Sequence, residues 1–170
     1  MSTQTTVPTD VYLHTSYRPD CDYIEGEVRE RNLGTFEHSK AQGLLAFRFW
    51  ESRRDWNLLA VIGCRIRVAP ERVRVPDVAV MARGPQPSVP VDPPLIAIEV
   101  LSPDDTYGDM IDRAADYHTM GVANIWLVDP IRRSGKIYRD KSWLDVSEFS
   151  VLDTPIRIGL TELFAEFDEF

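Results

Sequence analysis

Apolar residues along this chain recur with two different periods, and the switches between them mark out its elements. From Thr35 to about Asp55, residues Ala41, Leu44, Leu45 and Phe49 fall on an i, i+3, i+4, i+8 stripe without internal proline. That spacing predicts a helix with Thr35 as its N-cap. The stretches Leu58 to Ile62, Cys64 to Val68 and Val73 to Met81 are instead rich in Val and Ile, broken by Gly63, Pro70 and Pro76. They read as successive strands of one sheet. Residues 84–94 hold five prolines in eleven positions and form a loop. The run LIAIEVL from Leu95 to Leu101 has the continuous apolar character of a strand covered on both faces.

A second helix is expected from about Asp109 to Met120, with Ile111, Ala114, Ala115 and His118 on one face and Gly121 as its stop. Asn124 to Val128 predicts another buried strand, and Gly135–Arg139 with Trp143–Val146 a peripheral hairpin. Asp22 to Arg29, with Gly26 in its middle, suggests two short strands joined by a tight turn. Residues 1–20 lack periodicity and are expected as a loose arm with at most a short helix near Val11 to Tyr17, and residues 161–170 as a short amphipathic acidic segment. Trp50 and Trp126 are assigned to the core by their size. Strands interleaved with two main helices give an α/β class in one domain over residues 1–170.

Composition narrows the function. The net charge of −8 argues against general adhesion to nucleic acid. Eight arginines between residues 48 and 83 nonetheless leave either a local basic face or the solvated sides of strands and a helix. Cys21 and Cys64, 43 positions apart, give neither a disulfide framework nor a zinc motif. The polar opening segment lacks the form of a secretory signal, and no apolar run approaches the ~20 residues that span a bilayer, so a cytoplasmic protein without membrane contact is expected. No GxSxG elbow, HExxH helix or glycine-rich phosphate loop supports a small-molecule hydrolase.

Two carboxylates carry the chemistry. Burying a charge in an apolar strand costs several kcal/mol unless it is compensated, so Glu99 inside LIAIEVL requires a partner. Asp77 opens the strand VAV in the same way, 22 residues earlier. If the two strands are neighbours, the carboxylates converge and are best satisfied by a hard divalent cation such as Mg²⁺ or Mn²⁺. The competing arrangement has Asp77 capping a turn and Glu99 paired with a nearby arginine.

YIEGEV from Tyr23, the helix start Glu37-His38-Ser39, RVPDVAV from Arg74, IEVLSP from Ile98, DRAADY from Asp112 with Gly121-Val122, and IWLVDP from Ile125 together resemble the Uma-two family of the PD-(D/E)xK nuclease superfamily, over nearly the whole chain. The resemblance implies a restriction-endonuclease-like mixed sheet flanked by helices. It implies Asp77 and Glu99 as catalytic metal ligands, the carbonyl of Val100 as a further ligand, and Glu27 completing the acidic cluster. It also implies DNA as substrate and phosphodiester hydrolysis, in which a metal-bound water is oriented and activated. The superfamily's lysine, two residues after the glutamate, is here Leu101; family members that carry it on the next helix place it where this chain has Arg113. Arginine keeps the charge yet is a poor proton carrier. Lys40 is the candidate to substitute in space. His38 is either a phosphate or outer metal contact or a packing residue, and Tyr117 lies beside the site. Two functions are therefore carried forward: a metal-dependent endonuclease, and a catalytically weakened relative that binds nucleic acid or protein. A homodimer is expected, since cutting two strands with one site per chain favours symmetry.

Overall fold

A computed structural model describes residues 6–32 and 34–169; residues 1–5 of the expected arm, and Phe170 of the acidic segment, lie outside the described residues. In chain order the elements are α1 (Thr9–Leu13), β1 (Asp22–Ile24), β2 (Glu27–Arg29), α2 (Phe36–Glu51), β3 (Leu58–Ile62), β4 (Ile66–Ala69), β5 (Arg72–Arg74), β6 (Val78–Ala82), β7 (Ile96–Val100) and α3 (Tyr107–Met120). They continue with β8 (Asn124–Asp129), β9 (Ser134–Arg139), β10 (Ser142–Val146), β11 (Glu148–Ser150), β12 (Arg157–Gly159) and α4 (Leu160–Glu169).

A six-stranded sheet ordered β10-β9-β8-β7-β6-β3 forms the centre. It is mixed, because β7 and β8 run parallel while the other pairs are antiparallel. Alternation along its middle strands divides the core in two. Val78, Val80, Ile96, Ile98, Val100, Trp126 and Val128 face α2 and α4, whereas Ala79, Met81, Ala97, Ile125 and Leu127 face α3 and β4. Both faces are covered, which is why LIAIEVL reads as continuously apolar.

The three Val/Ile stretches do not share one sheet as the sequence suggested. β4 and β5 join β1 and β2 in a separate sheet ordered β2-β1-β5-β4. The break falls at Val75-Pro76: proline offers no N–H to a ladder, and the chain crosses there from the small sheet into β6. Trp50, expected in the core, is 46% exposed. Its indole N–H instead donates to the Ala60 carbonyl on β3, the outermost strand of the sheet. Trp126 is buried and stacks on Phe149 at 4.6 Å between ring centroids. The buried face of α3 is Met110, Arg113, Ala114 and Tyr117, so His118 points to solvent. Its start is set by a capping box between Thr106 and Asp109, and Gly121 closes it at φ 108°, a left-handed backbone natural to glycine.

Gly135 on β9 packs beneath the stacked aromatic pair. A Cβ there would sit 2.7 Å from Phe149 Cζ and 2.9 Å from Leu160 Cδ1. Gly135→Ala is expected to overpack this face and lower stability by about 1–3 kcal/mol, read from urea midpoints; a neutral result would mean that Leu160 and Phe149 yield freely.

Candidate active site

Asp77 immediately precedes β6, and the β6–β7 register pairs Val78 with Ile98. One step further along this antiparallel ladder sets Asp77 across from Glu99, both on the α3 face. Both are buried, at 3% exposure. They share a cavity of about 20 Å³ with Arg31, Asn32, His38, Val100, Ser102, Asp105, Met110 and Arg113. That is space for about one water or ion.

Each carboxylate is held by a different set of donors. Arg31 Nη2 donates to Asp77 Oδ1 at 2.8 Å, the Val100 backbone N–H donates to Asp77 Oδ2 at 2.8 Å, and His38 Nε2 lies 3.2 Å from Oδ2. Gln42, one turn on from His38 along α2, fixes the backbone by donating to the Asp77 carbonyl at 2.8 Å. Glu99 accepts at one oxygen, Oε1, from Tyr117 Oη at 2.5 Å and from Arg113 Nη1 at 3.3 Å. Among the described residues no hydrogen bond falls on Oε2. Arg113 Nη2 also meets Asp22 Oδ2 at 2.6 Å, and Arg74 joins Asp22 to Asp116. A chain of alternating charge therefore runs from half-buried Asp116 through Arg74, Asp22 and Arg113 to Glu99, these last four all buried.

The environments push the two acids apart. Burial drives the Glu99 carboxyl up to about 7 against the lowering charge of Arg113. Burial acts the same way on Asp77, but the bond from His38 and the charge of Arg31 outweigh it and hold this carboxyl below its ordinary value. His38 moves oppositely: burial lowers it, but the bond to and charge of Asp77 outweigh this and raise it above its ordinary value. Tyr117 is raised well above the ordinary phenol by burial and then by the Glu99 charge, so it donates to that carboxylate as a neutral hydroxyl.

Of the sequence candidates, Asp77, Glu99, Val100, His38, Arg113 and Tyr117 converge. Glu27 does not. It sits on β2, pairs with Arg29 Nη2 at 2.9 Å, and lines a depression with Thr6, Val7 and Ile24. Lys40 lies over the Phe167 ring at 4.6 Å, toward α4 and away from the carboxylates. Half of the eight arginines of the basic stretch are paired internally: Arg65 with Asp20, Arg72 with Asp116 and Glu25, Arg74 with Asp22 and Asp116, and Arg48 with Glu166. Sequence reasoning missed Arg31, Asp22 and Gln42. Asp22 carried the same signal as Asp77, an acid opening an apolar strand, whereas Arg31 stands in an irregular segment with no periodicity to place it. Gly34 was also silent in sequence; a Cβ there would come within 2.8 Å of His38 Nδ1, so the backbone passes against the imidazole.

The donor set fits a hard divalent cation in kind: two facing carboxylates and a cavity of ion size. It is a two-acid set, since among the described residues no three His, Cys, Asp or Glu side chains are grouped to hold a metal. Arginines already touch both acids, so both readings of the sequence hold in part. Glu99 is paired with an arginine, and the two acids also converge.

No curated protein matches the chain. A solved structure from Anabaena variabilis ATCC 29413, described as "a putative nuclease belonging to DUF820", superposes with a TM-score of 0.78 at 20% identity, covering 95% of this chain and 99% of that one. At that identity the likeness concerns the fold alone, a mixed sheet with flanking helices. The chain matches the family Uma2, "Putative restriction endonuclease", over residues 12–167, and it belongs to that family.

Proposed function

We propose that this protein is an endonuclease that hydrolyses phosphodiester bonds in DNA, using Mg²⁺ or Mn²⁺ held by Asp77 and Glu99 with the Val100 carbonyl as a further oxygen donor. The observation that carries this reading is the pair of buried carboxylates facing one ion-sized cavity from adjacent strands. A bound divalent ion supplies Lewis-acid stabilisation of phosphate charge and a lowered pKa for its water. The chain's own residues do the rest. Arg31 lines the cavity and, with Nη2 on Asp77, has further N–H donors that suit contact with a phosphate, while Arg113 holds Glu99 in place. His38 and the Val100 N–H fix the rotamer of Asp77. Tyr117 keeps Glu99 turned so that Oε1 is occupied and Oε2 remains for another partner. A third acid from Glu27 is left out of the proposal, because its side chain is engaged elsewhere.

A second reading, nucleic-acid or protein binding without cleavage, is favoured by one observation: the guanidinium in place of the family's lysine is committed to Asp22 and Glu99 at once. One experiment separates the two. Incubation of supercoiled and linear DNA with Mg²⁺ or Mn²⁺ is expected to give nicking and linearisation that Asp77→Ala abolishes and EDTA stops. Cleavage that persists undiminished in Asp77→Ala, or DNA retained in a shift assay but never cut, sinks the endonuclease reading.

A further inference from the structure

The face of α2 turned away from the core is apolar. Phe36 is 75% exposed, Phe47 59% and Trp50 46%. At 100° per residue these three, with Ser39 and Gly43, fall within a stripe about 80° wide, opposite the buried residues His38, Ala41, Leu45 and Phe49. None of the five is charged. Gly43 sits at the middle, where an added Cβ would meet nothing within 4 Å. Glycine in an exposed helix interior costs about 1 kcal/mol relative to alanine, and the fold of this chain does not require it there.

The spacing is symmetric about that glycine. Phe36 and Trp50 lie seven residues on either side, and Ser39 and Phe47 four on either side. We propose that this stripe is a two-fold interface with a second copy of the chain, in which two α2 helices cross antiparallel at Gly43. Phe36 then covers the partner's Trp50, Ser39 faces the partner's Phe47, and the missing side chain lets the two backbones approach at the axis. Antiparallel crossing makes every contact twice, as an isologous interface requires. At roughly 200 Å² per aromatic side chain, the three rings leave roughly 350 Å² of apolar surface per protomer. A stable dimer of standard size buries about 800 Å² per partner. The stripe supplies the apolar centre, with the surrounding polar residues as its rim. A nucleic acid does not suit this face, whose five residues are uncharged and whose nearby guanidinium, Arg53, lies over the Trp50 ring at one end of the stripe. Each copy has a net charge of −8, so association is expected to strengthen as salt screens the repulsion. The inference is independent of the nuclease reading.

The test uses the axis. In the full chain, Gly43→Cys is expected to form a disulfide-linked dimer on mild oxidation, because only a residue on the two-fold faces its own copy. The wild type, with Cys21 buried and Cys64 half-buried, serves as the background. Ser39→Cys alone is expected not to link to itself, but to link to Phe47→Cys when the two variants are mixed. Sedimentation should give a dimer that Phe47→Glu weakens at least tenfold while leaving the circular dichroism spectrum unchanged. A wild type that sediments as a monomer at 100 µM without Gly43→Cys cross-linking overturns the proposal. So does a dimer that Phe47→Glu leaves intact.

Discussion

Arg113→Ala is expected to lose about 3–5 kcal/mol of folding stability, the largest effect of any single truncation at the site. The guanidinium is buried, and it reaches Asp22 Oδ2 at 2.6 Å with one nitrogen and Glu99 Oε1 at 3.3 Å with another. Removing it strands two acids unequally. Asp22 retains Arg74 and the Val75 N–H, while Glu99 retains only the Tyr117 hydroxyl. Arg113→Lys keeps the charge and restores the family's residue type, yet one ammonium cannot reproduce a fork that spans both carboxylates. It is expected to cost about 2 kcal/mol, the value of one hydrogen bond to a charged group. Urea denaturation of the three proteins orders them wild type, Lys, Ala; equal stabilities would mean that the bridge contributes nothing. Cleavage assays on the same samples separate stability from chemistry. A gain in turnover by the Lys variant despite its lower stability identifies the missing lysine as the limit on catalysis, and no gain excludes that explanation.

What was legible in the sequence followed from local period and local cost. α2 and β7 announced themselves by spacing, and Glu99 and Asp77 by the expense of placing an acid in an apolar strand. Their convergence depended on one register, Val78 opposite Ile98, which two strands joined by a proline-rich loop made natural. What the sequence hid is what distance along the chain hides. Arg31 meets Asp77 from 46 residues away, and Arg113 meets Asp22 from 91 residues away. Glu27 is placed in the cluster by the family resemblance alone. On β1 and β2, however, a two-residue turn sends Asp22 opposite Arg29 and Glu27 opposite Ile24, at opposite ends of the hairpin. The arginines of residues 48–83 gave a basic impression, since counting charges cannot show that their partners arrive from other segments.

In EDTA, stability is expected to fall by about 3 kcal/mol as pH rises from 4.5 to 7, and Glu99→Gln is expected to remove most of that slope. Glu99 is pushed up from 4.5 to about 7 in the folded chain. Across that window the folded protein holds a proton that the unfolded chain has already released, so each step up in pH favours unfolding. The neighbours act in other windows. Asp77, held below 3.8, contributes stability that is lost only as pH falls through the lower range. His38, raised above 6.5, contributes stability that is present below 6.5 and lost as pH climbs through its folded value, so its part overlaps that of Glu99 only above 6.5. Between pH 4.5 and 6.5 the slope therefore reports Glu99 nearly alone. The glutamine variant still offers an amide oxygen to the Tyr117 hydroxyl, so it isolates the titration from the packing. Urea midpoints taken at half-unit intervals decide the matter: parallel curves for the two proteins would show that Arg113 keeps Glu99 ionised throughout, and that the site holds a fixed ion pair in place of a proton.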